Sequence, residues 1–283
     1  MNSTSLDRTI AAALAEDIGT VDITTRLLVP SQASSQAFIQ AKQKGIICGL
    51  TVAQEVFHKL DPKLAFKPNV KEGTLVKPGQ KVARLHGKTR AILTGERVAL
   101  NFLSHLSGIA TATSRFVHSI RPYRAKVYDT RKTTPGLRSL ERLAVRAGGG
   151  HNHRFDLSEM VLVKDNHHAV CEMGKDIAQM TRFLRQRTAK PICIEVTDLR
   201  QMQAALAAGG DIILLDNMSV AQMQRAVQLS QQTNRRKRPL LEASGGVDLH
   251  NVRAIARTGV DRISIGALTH SVSAIDFSLE IIS

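Results

Sequence analysis

Between residues 125 and 265 short apolar runs alternate with stretches of helical periodicity, and few architectures accept that pattern. The runs cover 126–128, 160–163, 192–196, 212–215, 240–243 and 262–265. Between them, apolar residues fall at helical spacing, as with Leu137, Leu140 and Ala144, or Val220, Met223 and Val227. Ser219 stands where an N-cap belongs ahead of the second of these. Asp248 stands likewise ahead of a helix carrying Val252 and Ile255 that stops at Gly259. Strand and helix repeating in this order give a parallel sheet, open or closed into a barrel. Six strands are legible.

Each strand ends in polar or small residues. The strands run into Asp129–Thr130–Arg131–Lys132, Lys164–Asp165–Asn166, Glu195, Asp216–Asn217, Ser244–Gly245–Gly246 and Gly266–Ala267. In a barrel these ends share one rim, where chemistry is done. The stretch from Asp129 to Asn166 is the densest part. It holds Arg131, Lys132, Arg154 and Lys164, with His151 and His153 after the triplet Gly148–Gly149–Gly150. One such cation is ordinarily a solvated surface charge, but convergent cations call for an anion, and guanidinium suits carboxylate or phosphate. Glu195 and Asp216 end consecutive strands, about 5 Å apart if those strands are neighbours. They could act as an acid/base pair, hold a divalent metal, or stabilise a positive reaction centre. The two small-residue ends can offer bare backbone N–H groups to phosphate.

The chain before residue 125 reads differently. Leu6, Ile10, Ala13 and Leu14 give a first helix. A half-buried strand is expected over 36–42 around Phe38, a short one over 45–49, and a helix over 51–60. The Gly- and Pro-rich segment 70–85 resembles the hairpins of biotinyl and lipoyl carriers, but no lysine sits at a suitable tip, so a structural hairpin is expected. Two helices follow, 91–105 with Arg97 beside Glu96, and 109–120 after Gly108. A domain boundary is placed there, giving residues 1–108 and 109–270.

The chain has 283 residues, 43% of them hydrophobic, so a sizeable core is within reach. No apolar run approaches the ~20 residues of a membrane span, and the N-terminal stretch reads as an amphipathic helix, not a leader. Cys48, Cys171 and Cys193 show no metal-ligand spacing, and a reducing, cytoplasmic compartment is expected. The net charge of +15 suggests anionic partners, yet only 4% of residues are aromatic, so platforms for stacking nucleic-acid bases are scarce and no nucleic-acid partner is expected. The basic run Arg235–Arg236–Lys237–Arg238 is read as a surface loop.

The rim as a whole suits a substrate with several carboxylates, a phosphorylated co-substrate and a developing cation, as in glycosyl transfer from a sugar phosphate. The motifs DTRKTTPGLR, AVRAGGGHNHR, MVLVKDNH, LLDNM, LEASGG and ISIGALTHS resemble those of the quinolinate phosphoribosyltransferase family, the carboxylating nicotinate-nucleotide pyrophosphorylases of NAD biosynthesis. EDIGTVDITT, GLTVAQEVF and GERVALNFLSHLSGIAT match its N-terminal half. The resemblance implies an α/β fold: an N-terminal open-faced α/β sandwich completed by residues 271–283, and an incomplete seven-stranded α/β barrel. It implies that Arg131, Lys132, His153, Arg154 and Lys164 hold the carboxylates of quinolinate, that Thr130 also binds substrate, and that Lys132, Lys164, Glu195 and Asp216 are catalytic. Arg97 would reach the site of a partner subunit in a homodimer. Glu195 and Asp216 would lie near ribose and Mg²⁺, and Ser244, Gly245, Gly246, Ile265, Gly266 and Ala267 near phosphate of phosphoribosyl pyrophosphate (PRPP). Cys193, Ala147 and Val21 depart from the family's usual residues, and none of them carries an implied role.

Three other readings fit less well. A molybdenum-operon homologue shares the architecture without the full Arg-Lys and Lys-Asp-Asn-His set. An HNH nuclease needs dispersed histidines on a ββα unit, not His151–Asn152–His153 among βα repeats. A zinc site built on His151, His153, His167 and His168 has no cysteine partners close by.

Overall fold

The structure is a computed structural model that describes residues 3–173, 176–233 and 238–282. The chain forms two compact units. One takes Met1–Ser114, Thr133–Gly149 and Thr269–Ser283, and the other takes Arg115–Lys132 and Gly150–Leu268.

The first unit opens with α1 (Ser3–Ile18) and α2 (Ile23–Leu28), then β1 (Ser34–Ala41), β2 (Gly45–Ile46), α3 (Leu50–Leu60), β3 (Ala65–Pro68), β4 (Leu75–Val76), β5 (Lys81–Lys88) and α4 (Thr89–Ser119). Its sheet is antiparallel. Strand β1 lies between β5 and the C-terminal strand Phe277–Ile282, and β3 is at the far edge. Along β1 the buried residues Ala37, Ile39 and Ala41 alternate with more exposed ones, the period of a sheet with one face in the core.

Two expectations fail in this unit. The segment 70–85 is not a hairpin, because β4 pairs with β2 whereas β5 pairs with β1 and β3. Pro78 comes soon after β4, lacks an N–H for a ladder, and leads into Gly79 at φ +80°. Nor does Gly108 end a helix, since α4 runs on through it. A Cβ at Gly108 would lie 2.4 Å from the Ser273 carbonyl oxygen, so glycine serves close backbone packing there.

The second unit begins with β6 (Lys126–Tyr128). The chain then supplies α5 (Arg138–Ala147) to the first unit and returns with β7 (Val161–Val163), α6 (Asp165–Val170), α7 (Ile177–Arg185), β8 (Ile192–Val196), α8 (Leu199–Ala208), β9 (Ile212–Asp216), α9 (Val220–Gln231), β10 (Leu240–Ser244), α10 (Val252–Arg257), β11 (Arg262–Ser264) and α11 (Ala267–His270), before β12 (Phe277–Ile282). The six strands form one parallel sheet in the order β6-β11-β10-β9-β8-β7. A seventh position exists, reduced to a single bridge. His151 pairs in parallel with Tyr128 at the β6 edge, its N–H donating to the Val127 carbonyl at 2.8 Å. Among the described residues no strand pairing closes the sheet between that edge and β7, so the barrel is incomplete. Met160, Leu162, Cys193, Ile212 and Leu214 fill its interior, with Leu240 against them.

The cap of α9 is as expected, with Ser219 accepting from the Gln222 N–H in a capping box. The cap of α10 is not. Asn251 is its N-cap, and Asp248 instead accepts from the His250 and Asn251 N–H groups in the preceding turn. Of the basic run, residues 235–237 lie outside the described residues.

Asp22 provides a test of this local logic. It caps α2 by accepting from the Thr25 N–H at 3.0 Å, and its other oxygen accepts from Thr94 Oγ1 at 2.9 Å. These bonds, those from Thr25 first, hold its carboxyl below the usual range. Asp22→Ala is expected to cost about 1–2 kcal/mol in denaturant unfolding. Because the folded value is lowered, that contribution is present above the unfolded pKa, roughly 3.9. It is lost as pH falls through the folded value. A variant as stable as the parent at neutral pH would contradict the capping role.

Candidate active site

The strand ends of the second unit meet along one edge of the parallel sheet. Strands β8 and β9 are neighbours, with Glu195 level with Leu214. Asp216 therefore lies one pleat further toward the rim on the same face as Glu195. Asp216 is in turn level with Ser244 on β10. Glu195 is 9% exposed and accepts from Lys164 Nζ at 2.8 Å, so the charge of Lys164 is matched inside the rim. Asp216 accepts from Asn217 Nδ2 at 2.8 Å.

The segment after β6 is held by a carboxylate with no exposed surface. Asp129 accepts from the His153 N–H and from Asn152 Nδ2, both at 2.6 Å. Its own N–H donates to the His151 carbonyl at 3.0 Å. Thr130, Arg131 and Lys132 come directly after it, Arg131 and Lys132 exposed and Thr130 half-buried, with Thr130 Oγ1 accepting from the Lys132 N–H. Arg154 spans the open seam, its Nη1 donating to the Met160 carbonyl at 2.9 Å just before β7. Desolvation, then the Arg131 guanidinium, weakens Arg154 as a base. Two guanidiniums that repel each other at the rim are relieved by an anion between them.

Two backbone features shape the glycine-rich ends. Asn217 has φ +53° and Gly245 φ +90°. A Cβ at Gly245 would lie 2.2 Å from Asn217 Oδ1, so any other residue would displace that side chain and would also be strained at this positive φ. Gly246, at φ +57°, has nothing within 4 Å of such an atom. Ser244, Gly245, Gly266 and Ala267 are partly exposed, whereas Ile265 is buried, its N–H donating to the Tyr128 carbonyl.

The rim residues named from the sequence thus lie on this unit, with one exception. Arg97 is exposed on α4 of the first unit. Sequence reasoning gives no role to Asp129, Asn152, Asn217 or Glu242. Glu242 has a detectable signal, a charge in the middle of the apolar run LLEAS, since a charge in a buried strand must be paired. A cavity of about 620 Å³ also reaches Arg154, from the N-terminal ends of β8 to β11. Its outer arginines are committed to ion pairs, Arg185 with Asp211 and Arg238 with Asp261.

Comparisons with known proteins bear on the family and the fold. Residues 22–107 match the model of the quinolinate phosphoribosyl transferase N-terminal domain, and 109–280 that of the C-terminal domain. A probable nicotinate-nucleotide pyrophosphorylase [carboxylating] of Bacillus subtilis is 40% identical over 99% of this chain and 95% of its own. The Mycobacterium leprae protein named nicotinate-nucleotide pyrophosphorylase [carboxylating] is 40% identical over 96% of each. The solved nicotinate-nucleotide pyrophosphorylase of Francisella tularensis superposes with a TM-score of 0.92 at 37% identity, covering 100% of this chain and 98% of that one. With both domain models matched and relatives aligned over nearly their whole length, the chain belongs to the quinolinate phosphoribosyltransferase family.

Proposed function

We propose that the strand-end rim of the second unit transfers phosphoribosyl from PRPP to the ring nitrogen of quinolinate, giving nicotinate mononucleotide, carbon dioxide and pyrophosphate. The strongest support is the order of groups around one parallel sheet. Cations on the β6 and β7 side face carboxylates on β8 and β9, and glycine-rich ends come next on β10 and β11. Thr130, Arg131, Lys132, Arg154 and Lys164, with His153 behind them, would hold the two carboxylates of quinolinate. Ser244, Gly245, Gly246, Gly266 and Ala267 would hold phosphate, and Ile265, buried with its N–H on the Tyr128 carbonyl, would support that strand end from behind.

Those placements dictate the chemistry. As the bond from ribose C1 to pyrophosphate breaks, positive charge grows on the sugar, and the carboxylates of Glu195 and Asp216 stabilise it. The pyridine nitrogen forms the new bond to C1 and becomes a pyridinium. The carboxylate beside it then leaves as carbon dioxide. Its bonding electron pair stays on the ring carbon, stabilised by the adjacent cation, until that carbon takes a proton. Most of the rate enhancement would come from positioning and fixed charge.

Glu195 and Asp216 fit Mg²⁺ as a donor set, since this ion commonly takes one or two carboxylates and completes its shell with substrate phosphate oxygens. No cluster of three or more metal-ligating side chains occurs among the described residues, which suits an ion that arrives with PRPP. When bound it would neutralise charge on the departing pyrophosphate. A homodimer belongs to the proposal, with Arg97 reaching the rim of a second copy. The unpaired Cys48, Cys171 and Cys193 agree with a cytoplasmic location, and no helix among the described residues is long and apolar enough to cross a membrane.

Purified protein given quinolinate, PRPP and Mg²⁺ should form nicotinate mononucleotide only when all three are present. Arg131→Ala should lower kcat/KM about 100-fold, the equivalent of roughly 3 kcal/mol of lost charge-assisted hydrogen bonding, with an unchanged melting temperature. Undiminished turnover in that variant would remove Arg131 from the site. Gly245→Ala should raise the KM for PRPP tenfold or more and leave the KM for quinolinate within twofold, whereas Gly246→Ala should be milder. Equal effects of the two alanines would contradict the steric role of Asn217.

A further inference from the structure

Glu242 lies in the middle of β10 with no exposed surface. One carboxylate oxygen accepts from His153 Nε2 at 3.1 Å and from Ser264 Oγ. The other lies 3.9 Å from Arg262 Nη1 and is without a hydrogen-bond partner. Burial raises its pKa, yet the hydrogen bonds from His153 and Ser264 and the charge of Arg262 bring it below the usual carboxylate range. A buried ionised carboxylate is costly, and an apolar side chain would fill the same space without that cost. Its presence calls for a reason beyond packing.

His153 supplies one. Its Nδ1 accepts the backbone N–H of Arg154 at 2.8 Å. A ring nitrogen that accepts carries no hydrogen, so the proton is on Nε2 and points at Glu242. Both ring nitrogens are thereby used inside the protein, and the side chain is only 7% exposed. The ring has no N–H left for a substrate carboxylate. What it does instead is fix the backbone of the next residue, whose guanidinium is fixed in turn by the Met160 carbonyl.

We propose that Glu242 is the positioning residue for Arg154, acting through His153, and that His153 is a relay and not a direct contact to the acceptor. This rests on the function proposed above. Through Ser264 the same carboxylate ties the seam segment to β11, so the carboxylate-binding side of the rim is set relative to a phosphate-binding strand. Misplacing a binding group by about 1 Å can cost two orders of magnitude in rate.

The test is steady-state kinetics of the full-length Glu242→Gln variant, varying quinolinate and PRPP separately. The expected result is a KM for quinolinate raised tenfold or more, with the KM for PRPP within twofold. His153→Gln added to it should give no further loss, because both act on one group. An unchanged quinolinate KM in the folded variant, equal losses for both substrates, or independent losses in the double variant would overturn the proposal. Should the variant fail to fold, ¹⁵N chemical shifts of the wild-type imidazoles decide. The Nε2–H tautomer is expected for His153, and a ring protonated on Nδ1 refutes the relay. No turnover by wild-type protein would instead strike the proposed function, which the tautomer does not depend on.

Discussion

The second unit depends on a carboxylate that solvent does not reach. Asp129 closes the β6 edge by gathering Asn152 Nδ2 and the His153 N–H onto its two oxygens. Without it, residues 151–154 would lose two of the bonds that hold them beside β6, where the bridge and the ring stacking of His151 on Tyr128 would remain. Charge-assisted bonds at 2.6 Å are among the stronger ones available. Removing a buried partner leaves unsatisfied donors worth roughly 1–3 kcal/mol each. The placements of His153 and Arg154 depend on this closure. So does that of the Arg131–Lys132 segment, which shares its backbone with Asp129.

Legibility in the sequence obeys the same physics. Six strands can be read because a parallel sheet covered on both faces needs continuous apolar runs, and 192–196 and 212–215 are buried throughout. The seventh position cannot, since His151 is held by side-chain hydrogen bonding next door and has no apolar pattern of its own. Gly108 reads as a stop because packing against residues 273–274 cannot be seen locally. The segment 70–85 carries correct turn signals, but which strand pairs with which is a tertiary fact. Much of the candidate site is legible as charge recurring at strand ends. The layer that orients it is not, because Asp129, Asn152, Asn217 and Glu242 each act on a neighbour distant in sequence or through a special backbone angle.

The charges at the rim are staged. Lys164 is matched by Glu195, and Asp216 is steadied by Asn217. Arg154 is partly desolvated beside Arg131, and the two guanidiniums repel. Such an arrangement binds a dianion better than a monoanion, because each carboxylate relieves repulsion already present. The net charge of +15 acts in the same direction at longer range by drawing anions to the surface. At the opposite strand ends Arg185 and Arg238 are neutralised by aspartates. Those two arginines therefore offer little to an anion at that end of the sheet, whereas Arg154 lines both the rim and the cavity.

The most direct measurement is a crystal structure of the protein with quinolinate and an unreactive PRPP analogue. The account predicts both quinolinate carboxylates against Arg131, Lys132 and Arg154, with phosphate on the backbone at Gly245 and Gly246. Density for quinolinate in the cavity at the N-terminal strand ends, with those three side chains unengaged, would contradict it.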